Sequence, residues 1–344
     1  MATRFLVGNN AGDKLVELHP SIGPVSWRLN DVGQVKFALA KTDPKAVEEY
    51  LRYGNRVLLQ FDNGLPDWGG VIDTPRDWST SQIICTAYGA EYIFGFRQTD
   101  KIRSFSGATL GEIYRELISD ANNIDSTGID LGEIWEGGDA HTLDFHYSNL
   151  LSIFKDLLAT QLGGIDFDVT AGESGGRIAF TANLYQQKGA ELADLALVEG
   201  QNVNVGSFSE QGKIVNWWDL AGAGTGGGDG WGEDRFTSNV IDTDSRSTYG
   251  LRQDSQIHSD VSIQETLDVQ AATVLGKNKD PHNVFSLVAL DQPPARFADY
   301  ELGDVLPVSA HSVGFGGLDT TVRVRGRSYD PATDLCELVV QEEL

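Results

Sequence analysis

The feature that most constrains this chain is a recurrence of short apolar runs with period-two alternation, each cut off by a glycine or Asx turn. Phe5-Leu6-Val7 and Leu15-Val16-Glu17-Leu18 flank the turn Gly8-Asn9-Asn10-Ala11-Gly12-Asp13, and Val35-Lys36-Phe37-Ala38-Leu39 repeats the alternation. A single amphipathic turn, Ala46 to Leu51, follows Asp43-Pro44. The runs Arg56-Val57-Leu58-Leu59-Gln60-Phe61, Trp68-Gly69-Gly70-Val71-Ile72 and Ser81 to Tyr88 then resume the pattern, with Asn63-Gly64 as a tight reversal. Successive side chains of a strand point to opposite faces, so such runs each bury one face, and their close spacing predicts an antiparallel meander curled into a small closed or nearly closed barrel over residues 1–102.

The texture changes after Ser106. Leu110, Ile113, Tyr114, Leu117 and Ile118 recur at helical spacing, and Thr109 with Glu112 forms a capping-box pattern, so a helix starts there. A second helix is expected from about Ser148, through Leu150, Leu151, Phe154, Leu157 and Leu158, ending at Gly163-Gly164. Ile165 to Val169 and Arg177 to Ala182 read as a hairpin, which makes 103–202 an α+β insertion. Strand texture returns at Val203-Asn204-Val205 and Ile214 to Leu220, and again from Asn283 to the final Leu335 to Val340 run. Residues 203–222 and 283–344 are therefore expected to form a second, split barrel. It is interrupted over 223–282 by a glycine-rich loop and a helical segment with apolar residues at Ile263, Leu267, Ala271, Val274 and Leu275. The predicted class is a β-rich α+β chain of two small antiparallel barrels carrying α+β and helical insertions. Tyr53-Gly54-Asn55-Arg56-Val57-Leu58 and Leu302-Gly303-Asp304-Val305-Leu306 hint at an internal duplication.

Among 344 residues, 50 acidic against 26 basic side chains give a net charge of −24, which repels a nucleic-acid backbone and an anionic membrane face. No stretch approaches the ~20 apolar residues of a membrane span, and the N-terminus lacks the apolar core of a secretion signal. Cys85 and Cys336 each lie inside an apolar strand-like run and are expected as buried thiols.

Chemical motifs are sparse. Gly222, Gly224 and Gly227 satisfy a dinucleotide pattern on paper, but further glycines follow where a helix is needed to face a pyrophosphate. Asp229 to Asp234 lacks the regular oxygen ligands of a calcium loop, and His19, His141, His146, His258, His282 and His311 show no zinc spacing. Asp166 and Asp168 share a face of one strand and could mimic a paired acid and base, but alternation predicts the same of a solvated strand face, the favoured reading. Glu112 and Glu116 read as the wet side of a helix. No catalytic residue, cofactor or metal is expected. Trp231, in the glycine-rich loop, and Phe236 are the candidates for ordering against a neighbouring subunit.

The order of elements resembles the baseplate-hub (tail-associated, minor tail) proteins of tailed phages over nearly the whole chain. The residues that carry it are Ser26 to Asn30 with Gly33 and Phe37, Gly54 to Val57, Trp68 to Ile72, Ala87 to Ile93, Tyr249 to Gln253, Tyr300 to Val305 and Arg325 to Asp330. The resemblance implies a structural, non-enzymatic homotrimer at the virion tail tip, assembled in the host cytoplasm. Two barrels per chain would give six quasi-equivalent barrels around the DNA channel, in contact with distal tail, tape-measure and other tail-tip proteins. Rival readings are a β protein that binds or cleaves a glycan, and a six-fold distal-tail adaptor.

Overall fold

In the computed structural model, residues 3–155, 165–211, 213–224, 235–258, 261, 263–280, 282–313 and 317–342 are described. The first unit comprises β1 (Thr3–Gly8), β2 (Lys14–Leu18), β3 (Ser21–Arg28), β4 (Gln34–Ala40), α1 (Glu48–Leu51), β5 (Arg56–Phe61), β6 (Trp68–Trp78) and β7 (Gln82–Gly89). A 3-10 turn, Ala90–Phe96, leads into β8 (Arg103–Ala108), α2 (Leu110–Ile124), β9 (Ile129–Ile134), β10 (His141–Phe145), α3 (Leu150–Ser152), β11 (Asp166–Ser174) and β12 (Arg177–Tyr185). The remainder is β13 (Leu197–Val198), β14 (Val203–Gln211), β15 (Trp217–Gly224), β16 (Arg235–Ile241), α4 (Thr243–Tyr249), β17 (Gln253–Ile257), α5 (Gln264–Asn278), β18 (His282–Ala289), β19 (Val305–Ala310), β20 (Leu318–Asp330) and β21 (Leu335–Glu342).

Alternation does what the sequence demands of it. In β4, Val35, Phe37 and Leu39 go into the core while Gln34 and Lys36 face out, and β21 buries Cys336, Leu338 and Val340 in the same way. The strands join into one thirteen-stranded sheet in the order β14-β18-β21-β20-β3-β4-β7-β6-β5-β1-β2, with β19 also on β20 and β13 on β19. The expected pair of barrels, closed or nearly closed, is not found closed: among the described residues no sheet closes on itself, and the path runs open from β14 to β2. The sheet nevertheless wraps two separate cores. Phe5, Val35, Phe37, Val57 and Ile72 form one, and Leu287, Leu306, Val324, Leu338 and Val340 form the other, with Trp27 and Phe61 packed against both.

The insertion packs around Tyr114, Phe154, Phe167 and Phe180, in a core shared with Leu6, Leu58 and Val71 of the first unit and with Leu220 and Leu267 of β15 and α5. Thr109 Oγ1 accepts from Glu112 N at 3.3 Å and the Glu112 carboxylate accepts from Thr109 N at 2.8 Å, so the capping box is formed and α2 starts where expected. The hairpin is present as β11 and β12, paired from Asp166 with Tyr185 to Ser174 with Arg177, and β9 adds in parallel to β12. The second helix begins at α3, but its expected continuation through Leu157 and Leu158 lies outside the described residues.

Two elements depart from expectation. β15, expected in the second barrel, pairs instead with β16 and β17 in a separate sheet against which α5 packs. Helix α4 carries no apolar periodicity and is started by its cap, Asp242 accepting from the backbone of Asp244 and Ser245. In α5, the apolar residues Leu267, Ala271, Val274 and Leu275 are buried, in line with their spacing.

Candidate assembly interface

The hint of duplication becomes a geometrical fact once strand partners are compared. The first unit runs β3-β4-β7-β6-β5 across the sheet and the second runs β14-β18-β21-β20-β19, both in the same chain order and all antiparallel. Each copy has a bulge in its first strand, between Ile22 and Val25 in β3 and between Val205 and Ser207 in β14. Each has a second in its long strand, between Asp73 and Arg76 in β6 and between Val324 and Gly326 in β20. Bulges bend and twist the strand that holds them, so both copies are bent at corresponding places, although β6 skips two residues, Thr74 and Pro75, where β20 skips Arg325 alone.

The Gly-Asx steps are also equivalent. Gly54 (φ 85) N donates to Ile72 O at 2.8 Å and Ile72 N donates to Asn55 O at 2.9 Å; Gly303 (φ 95) N donates to Val324 O at 2.8 Å and Val324 N to Asp304 O at 2.9 Å. A left-handed φ suits glycine because it has no Cβ. The buried Asx side chains are wired with opposite polarity. Asn55 donates its amide to the carbonyls of Glu49 and Tyr50, whereas the Asp304 carboxylate accepts from the backbone of Ala190 and Glu301. An arginine follows the long-strand bulge in both copies. Arg76 stacks on Tyr53 at 4.4 Å and donates to Leu51 O, while Arg327 stacks on Tyr300 at 4.8 Å and donates to Tyr300 O.

The copies meet where the second half of β20 pairs antiparallel with β3, Gly326 opposite Arg28, Arg327 opposite Trp27, Ser328 opposite Ser26 and Tyr329 opposite Val25. Tyr329 is only 1% exposed, packed against Phe61 at 5.8 Å and Phe297 at 5.9 Å, with its hydroxyl donating to Asp334 at 2.9 Å. Trp27 and Phe61, 5.5 Å apart, seal the same seam. Among the described residues the equivalent half of β6, Arg76 to Trp78, pairs on one side only, with β7, and Trp78 is 63% exposed. Among the described residues β14 is the other open end, bonded along its length to β18 and otherwise through a bridge between Val203 and Glu199.

Behind the seam lies a network of buried charge. Asp166 and Asp168 are 1% and 6% exposed, which overturns the solvated-strand reading: β12 pairs along β11, and β6 and the 3-10 turn pack against it. Asp166 is ion-paired with Arg323 and lies 3.7 Å from the Arg325 guanidinium, and it accepts from Asn30 Nδ2 at 2.9 Å and Lys188 N at 2.8 Å. Asp168 pairs with the Lys188 ammonium and accepts from Asn183 at 2.9 Å. Glu91, on the 3-10 turn, accepts from Val169 N at 3.1 Å, and burial, opposed by two backbone hydrogen bonds, pushes its carboxyl up to about 8. Glu91, Asp168, Lys188, Trp27 and Trp68 line a cavity of about 260 Å³ between the two copies and the insertion. Both aspartates are held by cations, Asp166 by Arg323 and Asp168 by Lys188, so the site cross-links three parts of the chain. Glu116 is an exposed partner of Arg103, in keeping with a wet helix face.

Of the two aromatic candidates, Trp231 lies outside the described residues. Phe236 is half-exposed on β16, in the three-stranded sheet and away from the seam strands. Sequence reasoning missed Trp78, Arg327, Tyr329 and Arg323. The signal available for them was the paired Gly-Asx motif, which aligns Arg76 with Arg327 once the copies are set in register. Among the described residues no three His, Cys, Asp or Glu side chains gather as a metal site, and no helix is long and apolar enough to cross a membrane.

The fold is shared, end to end, with phage tail proteins. The tail protein of Neisseria meningitidis MC58 superposes with a TM-score of 0.63 at 12% identity, over 100% of this chain and 97% of that one. The 43 kDa tail protein of prophage MuSo2 from Shewanella oneidensis gives 0.59 at 14% identity, over 98% of each chain. Prophage tail protein gp18 from Listeria monocytogenes EGD-e gives 0.55 at 14% identity, over 99% of this chain and 94% of that one. No family model and no curated protein sequence matches this chain.

Proposed function

We propose that this chain is a structural baseplate-hub subunit of a phage-type tail tip, in which three copies set six duplicated sheet units around the tail axis. The carrying observation is the duplication itself: a chain holding two equivalent units can present three-fold symmetry on one side and near six-fold symmetry on the other, which is what joining a tip to a tube of higher symmetry requires. Full-length likeness to prophage tail proteins supports the same reading. The ring would join the tail tube to the tip and close or guide the DNA channel, and the chain's net charge of −24 suits a lumen that lets DNA pass without gripping it. Its neighbours in this reading are the distal tail protein, the tape-measure protein and other tail-tip proteins. Trp231, in the glycine-rich loop of the sequence, and Phe236, on β16, are proposed contacts to such a neighbour.

The reading assigns the chain no catalysis, and treats the pairs of Asp166 with Arg323 and Asp168 with Lys188 as structural links. Mass measurement of the purified assembly followed by low-resolution imaging tests this: a three-chain ring with six lobes is expected. A closed ring of six chains would favour the distal-tail adaptor, and a monomer that binds or hydrolyses glycans would refute the hub.

A further inference from the structure

The intrachain seam is a template, and each chain carries one unused copy of both its halves. The β20 half of the seam has its equivalent in Arg76 to Trp78 of β6: Trp78 pairs with Ile83 of β7 as Tyr329 pairs with Cys336 of β21, and Asp77 pairs with Ile84 as Ser328 pairs with Glu337. The β3 half has its equivalent in β14, where Phe208 pairs with Phe285 of β18 as Val25 pairs with Val35 of β4.

We infer that β6 of one protomer pairs antiparallel, through Arg76 to Trp78, with the outer edge of β14 in a second copy of this chain, repeating between chains the seam that β20 and β3 make within one. This rests on the ring reading and names the surface through which the ring closes. Carrying the register across, Trp78 lies opposite Phe208 of the partner subunit and Asp77 opposite Ser209 of the partner subunit. Trp78 then takes the post that Tyr329 fills at the inner seam. This accounts for a 63% exposed indole on a strand whose internal counterpart is 1% exposed. It also accounts for the preparation of Arg76, already stacked on Tyr53 and bonded to a backbone carbonyl as Arg327 is at the finished seam. An open strand edge is a ready template for another chain. Because the two edges differ, the contact is head-to-tail, and such contacts form a closed ring when the rotation per step divides a full turn.

The test is a double variant, Asp77→Cys with Ser209→Cys, oxidised in solution and resolved by mass under denaturing conditions. The native thiols, Cys85 and Cys336, are buried and do not compete. Disulfide-linked species of two and three chains and none larger are expected, with none from the offset pair Asp77→Cys with Asn204→Cys. Adding Trp78→Ala should cut linking at least tenfold while leaving the melting temperature unchanged, because the indole is exposed in the single chain. If wild-type protein forms an oligomer but the matched pair does not link, or links no better than the offset pair, the seam is wrong and the ring reading stands. Neither oligomer nor link at the highest soluble concentration overturns both. A ladder beyond three chains keeps the seam and overturns the three-chain ring.

Discussion

Glu91 offers the sharpest handle on the buried network behind the seam. Its carboxyl is pushed from an ordinary 4.5 up to about 8, chiefly by burial. Between those values the folded chain holds a proton that the unfolded chain releases, so stability conferred at low pH is lost as pH rises through that window. At ~1.4 kcal/mol per pH unit, the loss reaches about 3 kcal/mol by pH 7 and saturates near 5 kcal/mol above pH 8. Glu91→Gln keeps an oxygen to accept from Val169 N but cannot ionise, so the variant should lack this slope. Urea unfolding at about pH 5, 7 and 9 reads it directly. Wild type and variant should be similar at the lowest pH, and the variant should become the more stable by several kcal/mol at the highest. Parallel curves across the range would show that Glu91 does not titrate with folding, and would refute the claim that its burial keeps it protonated.

Other parts of the structure make equally direct demands. Arg323→Ala removes the ion-pair partner of the buried Asp166 and should cost about 3–5 kcal/mol in chemical denaturation. The duplicated glycines should respond unequally. Gly54→Ala meets open space and carries only the left-handed backbone penalty of ~1–2 kcal/mol, whereas at Gly303 an added Cβ falls 2.4 Å from Lys188 O. Thermal melts should therefore show a modest shift for the first and a large loss for the second, and equal shifts would refute the close approach of the Lys188 carbonyl to Gly303.

Much of the architecture was decided locally. Alternation in β4 and β21, the Thr109 and Glu112 capping box, the spacing of Leu267, Ala271 and Val274, and the turn chemistry between runs specify which segments are strands and which are helices, because each depends on neighbours within a few residues. The class, β-rich α+β, follows from them. What no local pattern contains is the partner of each strand. Trp217 to Gly224 has the same texture as the large sheet's strands yet joins another sheet. The alternation of Asp166 and Asp168 fits water or a buried network equally well, and only the arrival of Arg323, Lys188 and Asn183 from distant segments settled it. Trp78 and Tyr329 likewise occupy equivalent strand positions. The tertiary structure alone gives one a seam and leaves the other open, because β3 is within reach of β20 in the same chain while the matching edge for β6 is not.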